Sequence, residues 1–150
     1  MKQTTRRRQI AVQIANRQAH IPLDRRLLRR AVAKVLCEAD VRRAQISVAA
    51  VDDETITQLN WRYLHHRGPA DVLSFLLDDS DGLEGEVIVG AETAVRFAAG
   101  YGWSPHDELL LYVVHGMLHL VGYDDRTPRQ RTEMQRKEKE VLAELGIERR

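Results

Sequence analysis

His115 to Asp125, HGMLHLVGYDD, is the stretch on which the reading of this chain turns. The apolar run Leu109-Leu110-Leu111-Tyr112-Val113-Val114 leads straight into it. Ser104, Pro105 and Asp107 have the chemistry of an N-cap, a first helical residue and an N3 carboxylate. Gly122 is a natural stop, so the pattern predicts a helix over 105–121. His115 and His119 are four apart and therefore share one face, one turn above the other. Two imidazoles at that spacing can hold one divalent metal. Asp124 and Asp125 follow a glycine bend and can fold back to supply an oxygen ligand.

A histidine pair at this spacing is often accidental, and the neighbouring aspartates raise its standing as a metal site. The helix is apolar nearly all round apart from its two histidines, which predicts a central, buried element. Burying two imidazoles without polar partners is costly, and a metal is one such partner. Two histidines and one aspartate with an open position suit zinc, and such an ion activates water and polarises a phosphoryl oxygen. The zinc-protease pattern requires glutamate directly after the first histidine. Gly116 stands there, which disfavours a protease. A residue this small serves close packing or leaves room for substrate.

Composition bounds the rest. The 150 residues suit one domain with its own core, and 43% hydrophobic with 30% charged residues is a globular balance. No apolar run approaches the ~20 residues of a membrane span. The basic start MKQTTRRRQ has no apolar segment behind it and does not read as a signal peptide. The single cysteine, Cys37, excludes an internal disulfide and suggests a reducing, cytoplasmic setting. It falls in a helical pattern as a small buried residue. A net charge of +1 does not announce a nucleic-acid binder. The arrangement says more: Arg6-Arg7-Arg8 form one basic cluster, and Arg25, Arg26, Arg29, Arg30, Lys34, Arg42 and Arg43 another. Acidic residues collect over 78–92, so a bipolar surface could steer a phosphate backbone.

Taken in order, 9–15 reads as a strand and about 23–39 as an amphipathic helix with arginines on its outer face. Residues 44–51 read as a second strand. Asp52 or Asp53 caps the next helix, whose inner stripe is Ile56, Leu59, Asn60 and Tyr63. That helix stops near Arg67-Gly68-Pro69. Asp71 to Leu77 is a third strand, apolar on both faces and therefore expected at the centre of a sheet. An acidic loop over 78–85, a strand over 86–90 and a helix over 91–100 follow. Thr127-Pro128-Arg129-Gln130 opens a last helix to about Leu145 with a capping box, and Gly146 ends it. The order β-α-β-α-β-β-α-α-α predicts an α+β fold. It is one mixed four-stranded sheet packed with helices around the motif helix.

At this point the chain resembles the YbeY family of metal-dependent endoribonucleases. The family signature HGxLHLxGYDH stands here as HGMLHLVGYDD, residues 115–125. A second family segment, LNxxYR…PTDVLSF, stands as Leu59-Asn60-Trp61-Arg62-Tyr63-Leu64 and Pro69-Ala70-Asp71-Val72-Leu73-Ser74-Phe75. A third, around GDI, appears as Gly85-Glu86-Val87. The resemblance runs from about residue 9 to 145 and implies one such domain over 1–150. It implies cleavage of single-stranded RNA, maturation of small-subunit ribosomal RNA and ribosome quality control, with ribosomal proteins as possible partners. His115 and His119 match the first two metal ligands, Asp125 takes the slot of the third, and Asp124 matches the family aspartate.

Three departures carry chemistry. Asp125 replaces a neutral histidine with an anion, which weakens the ion as a Lewis acid and opens a site expected to take zinc to manganese or iron. Asp is also shorter, so its loop must approach closer or admit a water. Leu64 stands where the family has an arginine suited to clamping phosphate, leaving Arg62 or Arg67 to substitute. Ala70 replaces threonine. Trp61 and Tyr63 can stack bases, and Ser74 can touch substrate, although ordinary packing explains all three. Surface placement is expected for His65, His66 and His106. Asp71 is read as a partner of the backbone before it is read as one that orients a histidine. Glu86 is a possible base. The leading reading is an endoribonuclease with one divalent ion on His115, His119 and Asp125. A catalytically weak or inactive RNA- or ribosome-binding assembly factor is the alternative, and a metallohydrolase of small molecules or proteins a third.

Overall fold

The computed structural model describes residues 8–148; Arg6 and Arg7 of the first basic cluster lie outside them. The elements are β1 (Gln9–Arg17), α1 (Arg25–Glu38), β2 (Arg43–Val51), α2 (Asp53–Leu64), β3 (Val72–Asp78), β4 (Leu83–Gly90), α3 (Ala91–Tyr101), α4 (Pro105–Leu120) and α5 (Pro128–Glu144). The sheet order is β1-β2-β4-β3. β1, β2 and β4 are parallel, and β3 returns antiparallel to β4. This is the expected mixed α+β sheet, with its two interior strands linked by the parallel β2–β4 pairing.

Side-chain alternation divides the sheet into two unlike faces. Ala44, Ile46, Val48 and Ala50 of β2 and Leu83, Val87 and Val89 of β4 point into the main core with α1, α4 and α5. Among the described residues the opposite face carries only a small cluster, Val51, Ile56 and Leu73, with Leu59, Phe75 and Ile88 against it. α4 touches α1, α3, α5, β3 and β4, so it is the central helix that its sequence predicts. Leu109, Leu110, Val113 and Met117 are fully buried along it. Glu108 is buried there too and accepts a hydrogen bond from Trp103 Nε1 at 2.8 Å, so the histidines are not its only polar residues in the interior.

The helix ends follow their sequence chemistry. Ser104 accepts from the Asp107 amide, and Pro105 opens α4. Thr127 and Gln130 form both hydrogen bonds of a capping box at α5. Asp52, rather than Asp53, caps α2. Such caps each contribute about 1 kcal/mol. α2 ends at Leu64, three residues short of Arg67, because His65 turns into the left-handed region at φ 56°.

Several expectations need correction. β3 is an edge strand, not a central one. Its apolar residues on both faces reflect helices above and below its first half, and Leu76 and Leu77 beyond that half are exposed. The acidic loop is shorter than read, because β3 runs to Asp78 and β4 starts at Leu83. Tyr63 is 57% exposed and off the inner stripe of α2. Cys37 is exposed near the end of α1. His106 is half-buried: its Nε2 accepts from the Asp24 amide at 2.9 Å and ties the start of α1 to that of α4.

Candidate metal centre

His115 and His119 project from α4 toward α5 and the bend after Gly122. Each ring is mounted through Nδ1. His115 Nδ1 lies 2.6 Å from Glu138 Oε2 on α5, a charge-assisted length. His119 Nδ1 lies 3.0 Å from the Tyr123 carbonyl oxygen. A carbonyl and an ionised carboxylate only accept, so the hydrogen belongs on Nδ1 of both rings. In the neutral rings both Nε2 atoms then present a lone pair. Those two atoms are 3.1 Å apart, and Asp125 Oδ2 is 3.6 Å from one and 3.4 Å from the other.

Three electron-pair donors converging like this repel one another unless a cation lies among them. Bonds of about 2.0–2.1 Å in tetrahedral geometry place ligand atoms roughly 3.3 Å apart. The sides of this triangle straddle that value, so the three residues fit one divalent ion and leave a fourth position for water or substrate. The short Asp125 reaches because the bend itself approaches. Asp124 shapes that bend: its Oδ1 accepts from the Asp125 amide at 2.8 Å, and its Oδ2 lies 3.3 Å from Arg126 Nε. The proton affinity of His115 is raised. Burial opposes the charged ring, but the Glu138 hydrogen bond and the charges of Glu138, Asp71 and Asp125 outweigh it. Carboxylates that attract a proton also attract a metal.

Glu138 is the residue that sequence reasoning missed. It is 9% exposed, and the carboxylate–imidazole arrangement it makes fixes ring orientation and strengthens the ligand. A signal was present. Met134, Glu138, Val141 and Leu142 line the buried side of α5 at helical spacing, and a glutamate on such a stripe needs a partner. Ion pairs between Lys34 and Glu144, and between Lys137 and Glu38 at 3.2 Å, fasten α5 to α1 and so hold Glu138 in place. Gly116 is explained by close packing. A Cβ there would sit 2.7 Å from Val87 Cγ1 and 3.1 Å from Val72 Cγ2, so the glycine lets α4 lie directly on the sheet.

The remaining sequence candidates lie elsewhere. Arg62, Trp61 and Tyr63 are exposed on the last turns of α2, and Arg67 follows in the loop, its guanidinium carbon 5.9 Å from the Trp61 ring centroid. Among the described residues no hydrogen bond or ion pair joins them to the histidines. Leu64 is also exposed. Buried Asn60 donates to the Gly68 carbonyl at 3.0 Å and holds the loop that carries Arg67. Asp71 accepts from the Val72 amide at 2.8 Å and lines a cavity with His115. Alternation puts half-buried Ser74 on the α4 side of β3, beside Val87 in register. Glu86 is half-buried on the other side of the sheet, away from the metal donors. His65 and His66 are exposed, as expected.

The sequence profile of the Endoribonuclease YbeY family matches residues 13–146. An endoribonuclease YbeY of Syntrophus aciditrophicus is 35% identical over 95% of this chain and 94% of its own length. One from Moorella thermoacetica is 36% identical over 91% and 97%. The solution structure of the Thermotoga maritima protein TM1509 shares the fold with a TM-score of 0.60, covering 89% of this chain and 90% of that one at 24% identity. The signature around His115 and His119, the sheet that supports it and the length of these matches lead to one conclusion: this chain belongs to the endoribonuclease YbeY family.

Proposed function

We propose that the protein is a metal-dependent, single-strand-specific endoribonuclease. In this reading it works in the cytoplasm on small-subunit ribosomal RNA, in maturation and quality control, with the ribosome or its proteins as partners. The observation that carries it is the triangle of His115 Nε2, His119 Nε2 and Asp125 Oδ2, backed through Nδ1 by Glu138 and Tyr123. A divalent ion held there supplies Lewis acidity toward a phosphoryl oxygen and lowers the pKa of a coordinated water. Zinc suits the two imidazoles, while Asp125 opens the site to manganese or iron.

The chain's own groups then bind and orient the RNA. Arg67 lies four residues before Asp71, which lines a cavity with His115, and with Arg62 it would grip the phosphodiester backbone. Trp61 and Tyr63 offer exposed rings to bases, and Ser74 a hydroxyl beside α4. Metal content and cleavage of single-stranded RNA, compared between wild type and His115→Ala or His119→Ala, test the reading. Both variants should lose metal and cleavage together, and unimpaired cleavage by both would overturn it.

Leu64 and Asp125 favour a second reading, an RNA-binding assembly factor with little or no turnover. It predicts salt-dependent RNA binding without cleavage across zinc, manganese and iron. Robust metal-dependent turnover by the purified protein rejects it.

A further inference from the structure

A cavity of about 260 Å³ opens one turn above His115 along the same stripe of α4. It is lined by Glu108, Leu111, Tyr112 and His115 of α4, by Glu138 of α5, by Asp71, and by Phe97 and Tyr101 of α3. Phe97 is 54% exposed and Tyr101 44%, and they are four apart on α3, so the two rings share the rim. The chemistry of this cavity is specific in what it refuses. Among the described residues three acidic side chains line it and no lysine or arginine does, so it repels a phosphate. Aromatic faces and carboxylates suit a nucleobase, which offers π-faces to the rings and exocyclic N–H donors to the acids.

We infer that this cavity is a base-binding subsite, in which Phe97 and Tyr101 receive the base of a nucleotide whose phosphodiester lies at the His115–His119–Asp125 centre. A helical turn rises 5.4 Å, comparable to the reach from a phosphate to its own base. Asp71, on the rim, is the acid best placed to accept from an exocyclic amine, which favours amino-bearing bases over uracil. Phe97 is not among the buried residues of α3. It is an apolar ring held at the surface beside the centre, while its neighbours Ala94 and Ala98 do the packing of α3. This inference rests on the endoribonuclease reading for the identity of the substrate, but its binding test does not depend on turnover.

The test compares wild type with Phe97→Ala and the Phe97→Ala/Tyr101→Ala pair, each shown to keep its metal content and melting temperature. Two readouts are taken. One is the affinity for short single-stranded RNA against the same RNA carrying a single abasic nucleotide, in the metal-loaded protein. The other is cleavage of oligomers in which the base at the cut is varied. Wild type should lose about tenfold in affinity at one abasic position. The variants should bind intact RNA about as weakly as wild type binds the abasic one. In cleavage, KM should rise with kcat largely kept, and Phe97→Trp should restore it. If wild type binds with this base dependence but cuts nothing, the nuclease reading fails and the subsite stands. If wild type cuts RNA and both variants match it in KM and base preference, the subsite is overturned and the nuclease reading stands.

Discussion

The two faces of the sheet differ in what they are built to do. On one, α1, α4 and α5 form a continuous core with α4 pressed onto β4 through Gly116, and the candidate metal donors stand on that rigid support. On the other, α2 alone covers a small cluster, and its last turn presents Trp61, Arg62 and Tyr63 to solvent. Geometry within tenths of an ångström is needed to hold an ion, and only a packed layer supplies it. Long exposed side chains on a thin layer suit a strand of RNA whose path varies. Substitutions of packed residues on the α4 face should therefore cost metal, catalysis or stability, while those of exposed side chains on α2 should cost affinity.

The sharpest separation comes from the centre itself. His119→Ala removes one of three donors and should abolish stoichiometric metal binding, with cleavage falling by more than the ~100-fold typical of losing a supporting group. Glu138→Gln keeps shape and removes charge. Metal affinity should fall roughly 10–100-fold while the circular dichroism spectrum is unchanged, as read by competition with a chelating dye. A Glu138→Gln protein that binds metal like wild type would separate α5 from the site.

Packing is the next measure of the contrast. Gly116→Val drives a branched side chain into Val87 and Val72. Overpacking of this kind costs about 2–3 kcal/mol, which for a chain of this size lowers the melting temperature by roughly 4–12 °C. On the other face, Trp61→Ala should stay within about 0.5 kcal/mol in stability yet weaken RNA binding about fivefold. Equal losses of stability at the two positions would dissolve the distinction between the faces.

How much of this was legible in the sequence follows from the same physics. Elements with local signals were readable: Ser104-Pro105 before an apolar run, Thr127 three before Gln130, two histidines four apart. β3 was misplaced because an apolar pattern reports which faces are covered and is silent about which edges are paired. Leu73 and Phe75 meet the α2 layer and Val72 meets α4, yet among the described residues no further strand pairs with β3. Glu138 was missed because its partner is 23 positions away, and only its place on the buried stripe of α5 marked it out. The His115–His119–Asp125 set was visible because all three fall within eleven residues, one helical turn and one bend.

Acid should distinguish the faces most gently. α4 and α5 are capped by Ser104 and by Thr127 with Gln130, groups that do not titrate in this range. α2 is capped by Asp52, whose pKa is lowered from 3.8, first by the hydrogen bond from the Thr55 amide and then by the Thr55 side chain. A carboxyl whose folded value is depressed stabilises the folded state fully above its unfolded value. That contribution fades as pH falls through the folded one. Below about pH 4, the first turn of α2 should therefore fray while the first turn of α4 keeps its cap. Hydrogen exchange at the Thr55 and Asp107 amides between pH 5 and 3 measures this directly, once the intrinsic acid dependence of exchange is removed. Protection at Thr55 should fall and that at Asp107 should hold. In Asp52→Asn the cap remains a good acceptor but cannot titrate, so the decline at Thr55 should vanish. If it persists, the loosening of α2 in acid comes from its thin packing and not from its cap.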